Sequence, residues 1–261
     1  MTREMDKPVG APEPRSVAAI QGWRWIAAGF RLYGKSPLIW IVFFLIYMAL
    51  ELALTFSIPV VGAIASALLD PILIAGFMAG CRALELDDEL EINHLLAGFR
   101  ANAVQLAAVG SFYMLGKVLL IVVAMGLAGI TIGPMPDVDF SALESMEPAE
   151  LQQVARHLMI MGALLLTLLI PLLMAFWFAP ALVLFDRMSA KQAMKLSFTA
   201  CLQNVRPFTV YGLAGGLIFL LGAIPFGLGL LAVIPVLFGT SIYTAYRDIF
   251  VAQGASVEDE A

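Results

Sequence analysis

The chain has 261 residues, 61% of them hydrophobic and 13% charged, with a mean hydropathy of +0.91. Soluble domains carry about 25% charged residues, so the composition excludes that class and predicts an integral membrane protein. A net charge of −5 and a pI near 5.0 leave no basic face for nucleic acid, and the two cysteines, Cys81 and Cys201, match neither a metal spacing nor a disulfide framework and read as free thiols.

Residues 1–17 mix Arg3, Lys7 and Arg15 with acids and prolines, lack the apolar stretch of a signal peptide, and read as a flexible cytoplasmic N-terminus. A crossing needs about 20 apolar residues to traverse roughly 30 Å of hydrocarbon. Six spans are predicted, at 37–57, 59–84, 104–130, 157–185, 207–224 and 226–247. The connections at Ser57 and Pro225 are short and uncharged, so spans one and two, and spans five and six, are hairpins. The cluster Asp87, Asp88, Glu89 and Glu91 reads as a solvated turn and helix start. The outer loop, 131–150, carries Asp137, Asp139, Glu144, Glu147 and Glu150, and its Pro148 suits the first turn of a helix rising into span four. Residues 252–261 form an acidic cytoplasmic tail.

Thirteen of the fifteen Lys and Arg residues fall before span one, between spans two and three, between spans four and five, or at the end of span six. The positive-inside rule then puts both termini in the cytoplasm. Each hairpin is preceded on that side by an amphipathic segment. The three segments align on a small residue followed by Phe: Gly29-Phe30 in IQGWRWIAAGFRLYGKSP, Gly98-Phe99 in EINHLLAGFRANAV and Ser197-Phe198 in AMKLSFTACLQNVRP. Helices of this kind lie in the interface plane, and Ser189 with Gln192 supplies a capping-box start for the third. The second spans align as well, IPVVGAIASALLDP with IPFGLGLLAVIP, which matches Pro59 and Pro71 to Pro225 and Pro235 and leaves Pro171 at a comparable depth in span four. The expected fold is all-α, a single membrane domain over 18–251. Its six transmembrane helices form three pseudo-repeated hairpins (18–86, 87–187, 188–251), each led by a cytoplasmic interfacial helix and related by an axis along the membrane normal.

Asp70 stands beside Pro71 inside an apolar run. Residues 71–84 are too short to cross alone, so span two includes 59–69 and places Asp70 near the midplane. Asp before Pro is the usual order of an N-cap and first helical residue. This predicts two half-helices meeting at Asp70, its carboxyl tying down backbone N–H groups, with Pro71, Pro171 and Pro235 as helix breaks. Glu51 lies two-thirds along span one and Lys117 midway along span three. A lone charge at mid-bilayer costs about 3 kcal/mol on insertion scales, so Glu51, Asp70 and Lys117 are expected to form an intramembrane polar site in which Lys117 pairs with one of the acids. Such a site serves either a proton or cation or the packing of helices. Gly76 with Gly80, and Gly212 with Gly216, have the GxxxG spacing of close helix contacts. Trp23, Trp25, Tyr33, Trp40 and Trp177 read as an aromatic belt.

No HExxH, Walker glycine loop or GxSxG is present, and His94 and His157 fall on opposite sides of the predicted membrane, so no catalytic residue, metal or cofactor is expected. The segments GWRWIAAGFRLYGKSP, IPVVG, LLAGFR and APALVLFDRMSAKQAMKLSFTACLQN resemble a family of uncharacterised bacterial inner-membrane proteins, similar in layout to YciC-like proteins and to the membrane domain of some glycerophosphoryl diester phosphodiesterases. The resemblance spans about residues 18–250. It implies six spans in a bacterial inner membrane, and it brings no activity and no functional residues. The expected function is that of a non-enzymatic protein that binds or moves a small solute or amphiphile through a cavity lined by Glu51, Asp70 and Lys117. The alternative is a scaffold or regulatory partner of an envelope complex. The expected partners are the lipid bilayer, a lipid or small-molecule ligand, and another protein or a second copy of the chain.

Overall fold

Pro37 ends one helix and begins the next. Its ring disfavours the helical conformation at Ser36, whose φ of −151° closes α1 (Gln21–Lys35), and its fixed φ suits the first turn of α2 (Pro37–Ser57). The structure, a computed structural model, describes residues 12–57, 59–132, 147–224 and 226–251. After α2 come α3 (Pro59–Glu85), a 3₁₀ turn (Ile92–Leu96), α4 (Ala97–Ala101), α5 (Ala103–Ile132), α6 (Pro148–Trp177), α7 (Ala179–Phe185), α8 (Ala190–Gln203), α9 (Val205–Ala223), α10 (Leu230–Pro235) and α11 (Ser241–Tyr246). A π turn lies on each side of α11, at Val236–Thr240 and Arg247–Val251. Six stretches are long and apolar enough to cross a membrane: Pro37–Phe56, Val60–Glu85, Ala103–Ile130, Pro148–Phe185, Val205–Ala223 and Leu230–Val251. The fourth begins at Pro148, where Glu150 complements the helix N-terminus. Pro225, the acids Asp137, Asp139 and Glu144, and the tail 252–261 lie outside the described residues.

Two of the three expected helix breaks are absent. α3 runs continuously through Asp70 and Pro71, and α6 through Pro171. Two frayed half-helix ends inside lipid would strand several backbone groups, whereas a proline in a continuous helix frees one carbonyl. At Pro71 that carbonyl belongs to Ala67, and Gly110 of α5 packs against it so tightly that an added Cβ would lie 1.9 Å from the oxygen. The Cα–H groups of Gly110 take the place of the missing donor. Span four breaks later, at Phe178, between α6 and α7, with Pro180 in the first turn of α7. There the Ser197 hydroxyl repairs the interrupted ladder: it donates to Met174 O at 2.7 Å and accepts from Phe178 N at 2.9 Å. At Pro235, α10 passes into the π turn with helical backbone angles, φ −56° and ψ −34°.

The described residues fall into two compact units, one running to Ser111 and resuming at Met174, the other Phe112–Leu173. In the first, span six is the most enclosed crossing, two-thirds (67%) buried. α1 lies between α9 and α11: Gly22 meets Pro207 O, Gly29 meets Ser241, and Trp25 packs its ring on Phe208 and Tyr211 at centroid distances of 5.4 and 6.4 Å. Trp25, Trp40 and Tyr33 are therefore core residues, and of the expected belt Trp23 is the exposed member. Gly76 and Gly80 pack on Leu95 and Leu90, but Gly212 and Gly216 meet nothing within 4 Å; the contact in α9 is made by Gly215 on Leu237. Ser189 turns its hydroxyl to the Gln192 side chain, and the N–H of Ala190 is capped instead by Gln105 Oε1 at 2.8 Å.

Part of the N-terminal segment is tied down. Asp248 accepts hydrogen bonds from Arg15, from Gln21 Nε2 (2.9 Å) and from Trp25 Nε1 (2.9 Å), while Arg15 N donates to Ile249 O. Asn204, fully buried, accepts from Val17 N and donates to Arg15 O and Ala200 O. The fold thus begins by Arg15, ahead of residue 18. In the second unit, Gly116 lies against the side chain of Leu172, and large apolar side chains such as Leu115, Leu119 and Val122 are exposed, as a lipid-facing surface requires.

Gly110→Ala should lower stability by about 1–3 kcal/mol, the usual range for overpacking, whereas Gly126→Ala, with nothing within 4 Å of its added Cβ, should leave the melting temperature unchanged. Thermal unfolding of the purified protein measures both.

Candidate functional site

The first hairpin carries a two-rung polar ladder. On α2, Tyr47 and Glu51 are one helical turn apart, and on α3 Ser66 and Asp70 have the same spacing, so each pair shares a helix face. The helices run antiparallel, and the pairs meet in reverse order. Tyr47 Oη donates to Asp70 Oδ1 at 2.9 Å, and Ser66 Oγ donates to Glu51 Oε2 at 2.6 Å. Each helix thus offers one acid and one hydroxyl to the other. Near the turn, Gly62 lets the two backbones close to contact at Leu54 O. One acceptor remains: Glu51 Oε1 is buried and has no hydrogen-bond partner among the described residues. Asp70 thus bonds a side chain of the facing helix from within a continuous α3, where no second half-helix starts.

Lys117 belongs to the second unit, where its ammonium stands 4.8 Å from the centroid of the Tyr113 ring, a cation–π contact. His157, in the same unit, is buried and bonds Gln153 O through Nδ1 at 2.9 Å, with Nε2 unpartnered among the described residues. His94 sits in the other unit and closes a capping box with Glu91 at the start of the 3₁₀ turn, as the acidic cluster predicts. No group of three metal-ligating side chains occurs among the described residues. Cys81 and Cys201 are free and buried, and burial pushes the Cys201 thiol up to about 12.

A second polar cluster, which the sequence did not reveal, gathers at the end of the spans that carries most Lys and Arg. Glu85, at the end of α3, accepts from Tyr243 Oη and Arg247 Nη1 of span six. Asp186, just after α7, accepts from Tyr246 Oη at 2.7 Å. Arg82 stands over the Phe185 ring at 5.3 Å, and Phe185 in turn packs on Tyr246 at 5.5 Å and Tyr243 at 6.1 Å. Nearby, Asp87 adopts φ 58° after α3, so that Asp88 N reaches Ala83 O, a Schellman closure. Lys35 pairs with Asp87 at 2.7 Å and holds its carboxyl below the usual range. A shallow hollow of about 430 Å³ opens beside this pair, lined by Ser36, Leu84, Asp88 and Glu89. The partners in this cluster come from segments far apart in sequence; spacing along one helix, the signal that marks the ladder, does not mark them.

A double-mutant cycle of Tyr47→Phe with Asp70→Asn should return a coupling of about 1.5–3 kcal/mol, the range for a hydrogen bond to a charged group. Chemical unfolding of the four proteins in one detergent measures it.

No protein-family model and no solved structure matches the chain. A probable inner membrane protein of Burkholderia thailandensis is 29% identical over 258 residues, a match that covers 91% of this chain and 93% of that one. End-to-end similarity of this kind, with six apolar helices of spanning length, makes the chain a multi-pass inner-membrane protein.

Proposed function

We propose that the protein binds or translocates a small solute or amphiphile at the Glu51–Asp70 ladder, without catalysing a reaction. The observation that carries the reading is the spare acceptor. A buried carboxylate oxygen with no donor is costly, and it suits a ligand that brings an N–H, an O–H or a positive charge. At Glu51 the bonded oxygen meets a neutral hydroxyl, that of Ser66, which brings no positive charge to compete with such a ligand. The reading rests on Glu51 and Asp70 alone. The charge bias of the connecting segments supports cytoplasmic termini.

Three contacts support a pseudo-threefold plan. Gly29 of α1 meets Thr240 and Ser241 of span six, Gly98 of α4 meets Ile72 of span two, and Ser197 of α8 bonds Met174 and Phe178 of span four. Each aligned small residue thus seats its connecting helix on the second span of the hairpin before it, counted cyclically. The alternative reading, a scaffold or regulatory partner of an envelope complex, is favoured by the same rungs, because reciprocal hydroxyl–acid bonds also lock two helices together.

Glu51→Gln and Asp70→Asn separate the two. With tetraphenylphosphonium as a lipophilic cationic probe, binding to protein in nanodiscs should weaken about tenfold, or roughly 1.4 kcal/mol, both in Glu51→Gln, whose melting temperature holds, and in Asp70→Asn, whose melting temperature falls with the lost Tyr47 bond. A fall in melting temperature with unchanged probe binding supports the scaffold.

A further inference from the structure

Span six is built as a short helix between two irregular turns. In the first, Ser241 N bonds Val236 O, one residue further back than an α-helix allows, so the Leu237 carbonyl loses its helical donor. Side chains replace it: the Tyr211 and Ser241 hydroxyls both reach Leu237 O. Thr240 Oγ1 turns outward from the same turn to Gly29 O at 2.9 Å. The second turn begins at Arg247. Between the two, α11 carries Tyr243 and Tyr246, and these hydroxyls with the Arg247 guanidinium hold Glu85 of span two and Asp186 at the end of span four.

We propose that Tyr243, Tyr246 and Arg247, closed on Glu85 and Asp186, form a latch that holds the ends of spans two, four and six together, and that α11 opens it by swivelling on the π turn at Val236–Thr240. A π turn accommodates one residue more than an α turn. Returning it to α geometry at constant chain length advances every following residue by about 100° around the axis. That rotation carries Tyr243 and Tyr246 off their acids. The donors that cover Leu237 O are hydroxyls, so the carbonyl can pass back to the Ser241 N–H without stranding a charge. The latch lies apart from the Glu51–Asp70 ladder, and its test uses no solute, so it stands or falls independently of the proposed binding function.

The test places one reporter cysteine, Ala245→Cys, in a chain whose native thiols are removed by Cys81→Ala and Cys201→Ala. Ala245 is 1% exposed, so a water-soluble maleimide should label it slowly in nanodiscs. Adding Tyr243→Phe and Tyr246→Phe, which delete both hydroxyls and keep the rings, should speed labelling at least about tenfold, because labelling follows the open population. Deleting Phe238, a 57% exposed residue of the π turn, restores the α count with α11 in its present orientation and removes the pivot. In the double Phe background this deletion should return labelling to the slow rate. Hydrogen exchange across 236–251 provides a second measurement if the deletion chain does not fold: it should rise in the double Phe protein and stay low in the parent. Equal labelling and equal exchange in the parent and the double Phe protein overturn the latch. Fast labelling that persists in a folded deletion variant overturns the pivot.

Discussion

In a bilayer a main-chain carbonyl that loses its helical donor finds no water to replace it. In this protein three contacts between helices form where such carbonyls arise. Pro71 frees Ala67 O, and Gly110 covers it; the helix change at Phe178 frees Met174 O, and Ser197 bridges it; the π turn frees Leu237 O, and Tyr211 reaches it. Glycine serves where a second backbone must approach, and a hydroxyl serves where a side chain must. Irregularity inside the membrane and packing between helices are thus one problem solved together, so substitutions at Gly110, Ser197 or Tyr211 act on both.

The spans were legible in the sequence because length and hydropathy decide them almost alone. The helix breaks were not. Proline shows where a donor is missing, but whether the helix parts there depends on what neighbours the orphaned carbonyl, and Gly110 lies forty-three positions after Ala67. Of the ladder, the acids were visible as charges in apolar runs, whereas Tyr47 and Ser66 are unremarkable in a membrane helix until the hairpin is closed around Ser57. The aromatic belt failed for a related reason: Trp25 and Trp40 have the composition of interfacial residues, but α1 is drawn into the groove between α9 and α11 and takes Trp25 with it.

Asp248 shows how a charge at a span end can organise sequence far away. Its carboxylate gathers Arg15, Gln21 and Trp25, while Asn204 holds the backbone of Arg15 and Val17. Arg15 and Val17, in a segment whose composition reads as flexible, are held by two side chains more than 180 residues away. The acids at the ends of spans two and four work in the same manner, each taking a tyrosine hydroxyl from span six. The most enclosed crossing is thus fastened to its neighbours by polar bonds at this end and again at the π turn, where Tyr211 reaches Leu237 O and Thr240 reaches Gly29 O.

The reversed order of the two rungs in the first hairpin also makes its alignment self-checking. Sliding α3 along α2 by one turn in one direction would set Glu51 opposite Asp70, two acids in a medium that tolerates neither well. Sliding it the other way would set Tyr47 opposite Ser66 and leave both acids without their hydroxyls. Together with the short connection after Ser57 and the close approach of Gly62 to Leu54 O, these four polar residues fix the axial position of the first two crossings.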